Sequence, residues 1–101
     1  MELLTKELRE QLPPLYSQEQ EVDPLVICKF FTPDSSWTWY PTEFDGQDVF
    51  FWWVVGLERE LGYFRLSELL HARGPLGLAI ERDLHFSPMR LSQVKQAHGV
   101  S

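Results

Sequence analysis

Hydrophobic positions follow a helical period at the start of this chain and an alternating one through its middle. Leu4, Leu8 and Leu12 recur every fourth residue among charged neighbours, which places them on one helical face. Thr5 is a suitable N-cap and Pro13-Pro14 end the pattern, so the spacing predicts a helix over about 5–12. The polar stretch "LYSQEQEVDP" reads as a connection. "LVICKFF", residues 25–31, is rich in β-branched and aromatic residues and predicts the first strand. "TPDSS" is a turn cluster, and "WTWYPTEFD" the second strand. Pro41 brings no N–H to a ladder, so it marks an edge position or a bulge. Asp45-Gly46 is a strong hairpin signal. "VFFWWVVG" is apolar on both faces, as a central strand covered on both sides would be. "GLERELG" then reads as a charged hairpin loop and "YFRL" as a short fourth strand.

Ser67 is placed to cap a short helix, "ELLHA", which the turn residues of "RGPLG" end. "LAIERDLHF", residues 78–86, alternates as a fifth strand. Ile80, Arg82, Leu84 and Phe86 fall on one face, and Ala79, Glu81, Asp83 and His85 on the other. Ser87-Pro88 opens a last helix over about 88–98, with Leu91 and Val94 on its apolar side and Gly99 at its end. Short consecutive connections favour a meander. The expected class is α+β: an antiparallel four- or five-stranded meander sheet over about 25–86, with short helices packed on one face. There is no internal repeat and no low-complexity stretch. A chain of 101 residues makes one domain, 1–101.

Charge narrows the function classes. Fifteen acids against nine Lys and Arg give a net charge of -6. That balance disfavours direct nucleic acid binding, whose footprint is a basic patch, and suits a basic protein partner. No apolar run reaches the roughly 18 residues of a membrane span, so no membrane is expected. "MELLTKELRE" lacks the basic and apolar regions of a secretory signal, and the expected location is cytoplasmic. The one cysteine, Cys28, sits in an apolar run and reads as an inert core thiol.

Candidate chemistry is sparse. No serine stands in a strand–turn–helix elbow, and no glycine loop cradles phosphate. His71 reads as a surface or capping residue, and His98 lies near the C-terminus. Glu81, Asp83 and His85 point to one side of the predicted fifth strand, about 7 Å apart. Two carboxylates and an imidazole suit Fe, Mn or Zn, and these three form the alternative metal set. Glu43, Asp45 and Asp48 bracket the hairpin and read as a solvated acidic tip, better suited to a basic partner than to acid–base catalysis. No catalytic residue and no cofactor is implied.

Trp37 and Trp39 are two apart and share a side of their strand, with Tyr40 on the other. Large aromatics on both sides of strand three exceed what one helical layer covers. The surplus calls for the N-terminal arm, a second copy of the chain, or a partner. Trp37, Trp39, Tyr40, Glu43 and Asp45 are therefore the predicted partner-binding residues.

"LLTKELREQLPPLYSQE", "KFFTPDSSWTWYPTEFDGQDVFF", "VVGLERELGYFRLSEL" and "RGPLGLAIERDLHF" together resemble a small bacterial family of single-domain proteins of unknown function. The resemblance covers residues 3–86. It implies carriage on plasmids, integrative elements and prophages, and it brings no activity, cofactor or catalytic residue. The expectation that follows is a non-enzymatic protein-binding module of a mobile genetic element, modulating a host or defence factor. A small metal-binding protein or enzyme and a homo-oligomeric module are the alternatives.

Overall fold

Residues 2–99 are described in a computed structural model. Thr5 caps the first helix as its position suggests: its Oγ1 accepts from Leu8 N at 3.2 Å. The elements follow as α1 (Lys6–Gln11), β1 (Leu25–Val26), β2 (Phe30–Phe31), β3 (Thr38–Phe44), β4 (Val49–Val55) and β5 (Arg59–Arg65). Then come α2 (Leu66–His71), β6 (Glu81–Arg82), β7 (Met89–Arg90) and α3 (Leu91–Ala97). Five strands form one antiparallel sheet in the order β5-β4-β3-β2-β6, and β1 and β7 pair as a small separate ribbon. This is the expected α+β antiparallel sheet, with β2 to β5 as a meander. No helix among the described residues is long and apolar enough to cross a membrane.

The sheet divides two cores. On one side Phe30, Trp39, Phe44, Phe50, Trp52 and Val54 meet Leu3, Leu4 and Leu12 around α1 and Leu66 and Leu69 of α2. On the other, Tyr40, Trp53 and Val55 meet Val26 of β1 and Leu91 and Val94 of α3, with Phe86 and Met89 at the margin. The helices thus occupy both faces rather than one, and α3 covers much of the aromatic surplus. β4 is apolar on both sides because each side fills a different core. Cys28 is buried, and desolvation pushes its thiol pKa up to about 12.

Several local expectations are corrected by long-range contacts. "LVICKFF" is not one strand. Val26 and Phe30 would share a face of a continuous strand, yet they enter opposite cores, so the chain breaks between β1 and β2. "GLERELG" is not a loop. The turn is three residues, closed by Gly56 N donating to Glu58 O at 3.0 Å, and β5 pairs with β4 from Arg59 onwards. Its charges are those of an edge strand, where they discourage further pairing. The fifth strand holds only Glu81 and Arg82. The chain then turns at Leu84 and His85, which swings Phe86 to the Tyr40 side. Pro41 marks a bulge, in an interior strand rather than an edge strand. On its β3 side, β2 pairs only with Thr38 and Trp39. Beyond that point Ile27 N donates to Pro41 O of β3, and Phe44 N of β3 donates to Pro13 O.

Neither Ser67 nor Ser87 caps a helix. Arg-Leu-Ser occurs twice, at 65–67 and 90–92, and both copies start a helix in the same borrowed way. At α2, Leu66 N donates to Asp48 O, Ser67 N to Asp48 Oδ1 and Ser67 Oγ to Asp48 Oδ2. At α3, Leu91 N donates to Pro24 O, Ser92 N to Asp23 Oδ1 and Ser92 Oγ to Asp23 Oδ2. These hydrogen bonds hold both carboxyls below their ordinary pKa. A depressed folded pKa stabilises above the unfolded value and loses that contribution as pH falls through the folded one. Thermal stability should therefore fall as pH drops below about 4. Asp48→Asn and Asp23→Asn should each lower the melting temperature at neutral pH and flatten the acid limb. A melting profile between pH 2 and 7 checks this, and an unchanged limb in both variants would refute it.

Candidate functional site

The predicted partner-binding residues do not form one surface. Trp37 and Trp39 share a side and stack, with ring centroids 5.9 Å apart, but Trp39 is core and Trp37 is 38% exposed. They wall a cleft of about 330 Å³ with Arg73 and Pro75 on its other side. Tyr40 is buried against Trp53, and its hydroxyl lies 2.5 Å from His98 Nε2. Burial, then the charges of Lys29 and Arg59, hold the His98 imidazole below its ordinary pKa. Asp45 does sit at the exposed hairpin tip. Its carboxylate is turned inward, however, with Oδ1 accepting from Gln47, Asp48 and Val49 N at 2.8, 2.8 and 3.0 Å.

Glu43 departs furthest from expectation. The register shift between Pro41 and Glu43 inserts one extra residue in β3. Because side chains alternate, one inserted residue reverses the faces that follow. Phe44 is thereby turned into the α1 core, and Glu43 to the side of Tyr40 and Phe51. Glu43 is 4% exposed and belongs to no acidic tip. Its Oε1 accepts from Tyr16 N at 2.9 Å and its Oε2 from Gln18 N at 2.7 Å. Gln18 completes the attachment: its Nε2 donates to Thr42 O at 2.8 Å, and its Oε1 accepts from Leu25 N at 3.1 Å. The polar connection is thus fastened onto the sheet.

That fastening shapes a groove of about 430 Å³ between residues 16–24, α3 and the surface of β4 and β5. Tyr16 stands on one wall at φ 71, a conformation that a bulky residue rarely adopts. Strain of this kind persists only where surrounding contacts enforce it, and here the two Glu43 bonds flank it. The Tyr16 and Tyr63 rings lie 6.5 Å apart, and Phe51 sits 5.0 Å behind Tyr63. Tyr16, Tyr63 and Leu61 remain 61%, 55% and 51% exposed. Glu19 and Glu21 stand at the mouth, and Lys95 lines the α3 side, its Nζ 5.9 Å from the Trp53 ring centroid. α3 covers the Tyr40 end of this face and leaves the β5 end open.

A family model matches residues 3–98. The chain belongs to DUF2958, a family of proteins of unknown function. Both walls of the groove lie inside the match, so the groove is part of the DUF2958 domain itself. No curated protein and no solved structure matches the chain.

Glu81, Asp83 and His85 are not drawn together in this DUF2958 chain. Asp83 Oδ1 accepts from His85 N at 2.9 Å, and Asp83 Oδ2 lies 3.9 Å from Lys29 Nζ. Among the described residues no three His, Cys, Asp or Glu side chains are placed to hold a metal ion. Tyr16, Leu61 and Tyr63 carry the groove and were absent from the predicted set. Their one sequence signal is the alternation of Leu61 and Tyr63 in "RELGYFR", masked there by the surrounding charges.

Proposed function

We propose that this DUF2958 chain is a non-enzymatic protein-binding module that seats its partner in the Tyr16–Tyr63 groove. The observation that carries this reading is the preformed, half-exposed aromatic wall beside β5, which stands at the edge of the sheet. Aromatic rings held rigid yet left in water are the usual anchors of an interface. The resemblance to proteins of plasmids, integrative elements and prophages adds a setting: a mobile genetic element whose product acts on a host or defence factor. Trp37, with its exposed edge, is the second surface to compare.

A photo-crosslinking residue at position 63, and in a separate variant at position 37, tests the placement in host lysate. Crosslinking to a defined protein from position 63, lost when Leu61→Ser is added, is the expected result. Both variants should melt as the parent does. Crosslinking from position 37 alone would move the site to the Trp37 cleft. No specific product from either position would overturn the reading.

A further inference from the structure

We infer that the groove takes a basic, extended segment of its partner, one arginine or lysine side chain lying across the Tyr16 and Tyr63 rings toward Glu19. This rests on the reading of the groove as a partner site and adds the chemistry of what enters it.

Charge complementarity carries the inference. Three carboxylates line the groove, Glu19, Glu21 and Glu43, against the single cation Lys95. Lys95 stands on the far wall, near the Trp53 ring. Glu43 uses both its oxygens on backbone N–H groups, so its hydrogen-bonding capacity is largely spent. Glu19 and Glu21 are exposed, and although Glu21 Oε1 accepts from Asp23 N at 3.1 Å, both side chains face water where a ligand can meet them. The field is felt locally: desolvation, the adjoining Tyr16 phenol and the charges of Glu43 and Glu19 all push the Tyr63 phenol above its ordinary pKa.

Shape agrees with charge. The faces of tyrosine rings attract cations within about 6 Å, more strongly as water is excluded. Arginine and lysine also carry aliphatic stems that rest on apolar surface, which Leu61, Val22 and Phe51 supply. A volume of about 430 Å³ lies in the range of sites that enclose a ligand group of this length. An acidic segment would meet three carboxylates, and a neutral apolar one would leave Glu19 and Glu21 without a counter-charge. The net charge of -6 gives the basic segment a favourable long-range approach as well.

The test uses the full chain and three synthetic hexapeptides, alternating valine with arginine, with citrulline or with glutamate. Binding is followed by amide chemical shifts. The arginine peptide should shift Tyr16, Leu61 and Tyr63, and bind at least about tenfold more tightly than the citrulline peptide. Raising salt from 50 to 500 mM should weaken it severalfold. Tyr63→Ala should abolish the shifts, and Glu19→Gln with Glu21→Gln should remove most of the preference for arginine over citrulline. Equal binding of the arginine and citrulline peptides overturns the inference, as do shifts that fall elsewhere on the molecule. A crosslinked partner that the arginine peptide fails to displace leaves the groove as a partner site and removes the basic segment. Self-association through the groove, seen as a dimer by sedimentation and abolished by Tyr63→Ala, would likewise overturn it.

Discussion

Trp52→Ala should destabilise the protein by about 3–5 kcal/mol, the cost of emptying a large aromatic site in a core. Among the described residues it is the largest fully buried side chain. Trp52 is fully buried, stacks on Phe50 at 4.9 Å and 9°, and meets Phe30, Trp39 and Phe64 within 6.4 Å. Domain stabilities are about 5–15 kcal/mol, so the loss removes a large share of the total and lowers the melting temperature by tens of degrees. Trp52→Phe should behave very differently. Among the described residues the buried indole Nε1 has no hydrogen-bond acceptor, and such a donor costs about 1–3 kcal/mol. Phenylalanine keeps a ring in the stack and removes that donor, so the smaller volume is offset. Its expected net loss is about 1 kcal/mol or less. Chemical denaturation of both variants checks this. Equal losses would mean that the outer part of the indole, and not the stack, carries the packing.

Glu43→Ala should cost about 3–6 kcal/mol, since it removes two hydrogen bonds to a carboxylate that contribute roughly 1.5–3 kcal/mol each. The effect should be uneven. Tyr16 N and Gln18 N lose their acceptor, and residues 14–20 detach from the bulge while the sheet stays paired. Hydrogen exchange should show Tyr16 and Gln18 amides unprotected and β4 amides little changed. Tyr16 is then free to leave its positive φ, and the groove loses a wall. Glu43→Gln keeps one acceptor oxygen and should fall between the two. Full amide protection in Glu43→Ala would show that the Gln18 side chain holds the segment without it.

These two residues also mark where the sequence is legible. Trp52 lies in a run apolar on both faces, and burial follows from that pattern with no knowledge of neighbours. The Thr5 helix start and the Asp45-Gly46 hairpin are equally local: each signal sits within a few residues of the structure it makes. Glu43 lies three residues from Gly46 in sequence and looks like part of the hairpin tip. Only the inserted residue after Pro41 turns it inward, and a bulge is a property of the pairing between β3 and β4. The same applies to "LVICKFF", which breaks because two cores compete for Val26 and Phe30. The groove was the least legible feature, because its walls come from residues 16–24, β4, β5 and α3. Tyr16 sits in a polar connection, and Leu61 and Tyr63 sit among charges that a loop would also carry.

The paired helix starts at Leu66 and Leu91 bear on the order in which the chain folds. Helices of six or seven residues do not persist alone in water. Each here borrows its first hydrogen bonds from an aspartate at a distance, 19 residues back for α2 and 69 for α3. α2 must therefore wait for the β3–β4 turn that presents Asp48. α3 must wait until the whole stretch from Asp23 to Ser92 is available. Loop closure over such separations slows folding. A ribosome-bound chain in which α3 has not yet emerged would hold Asp23 ready with nothing to cap, and Val26, Tyr40 and Trp53 without their cover. The arrival of α3, rather than any earlier step, is when that aromatic face leaves water.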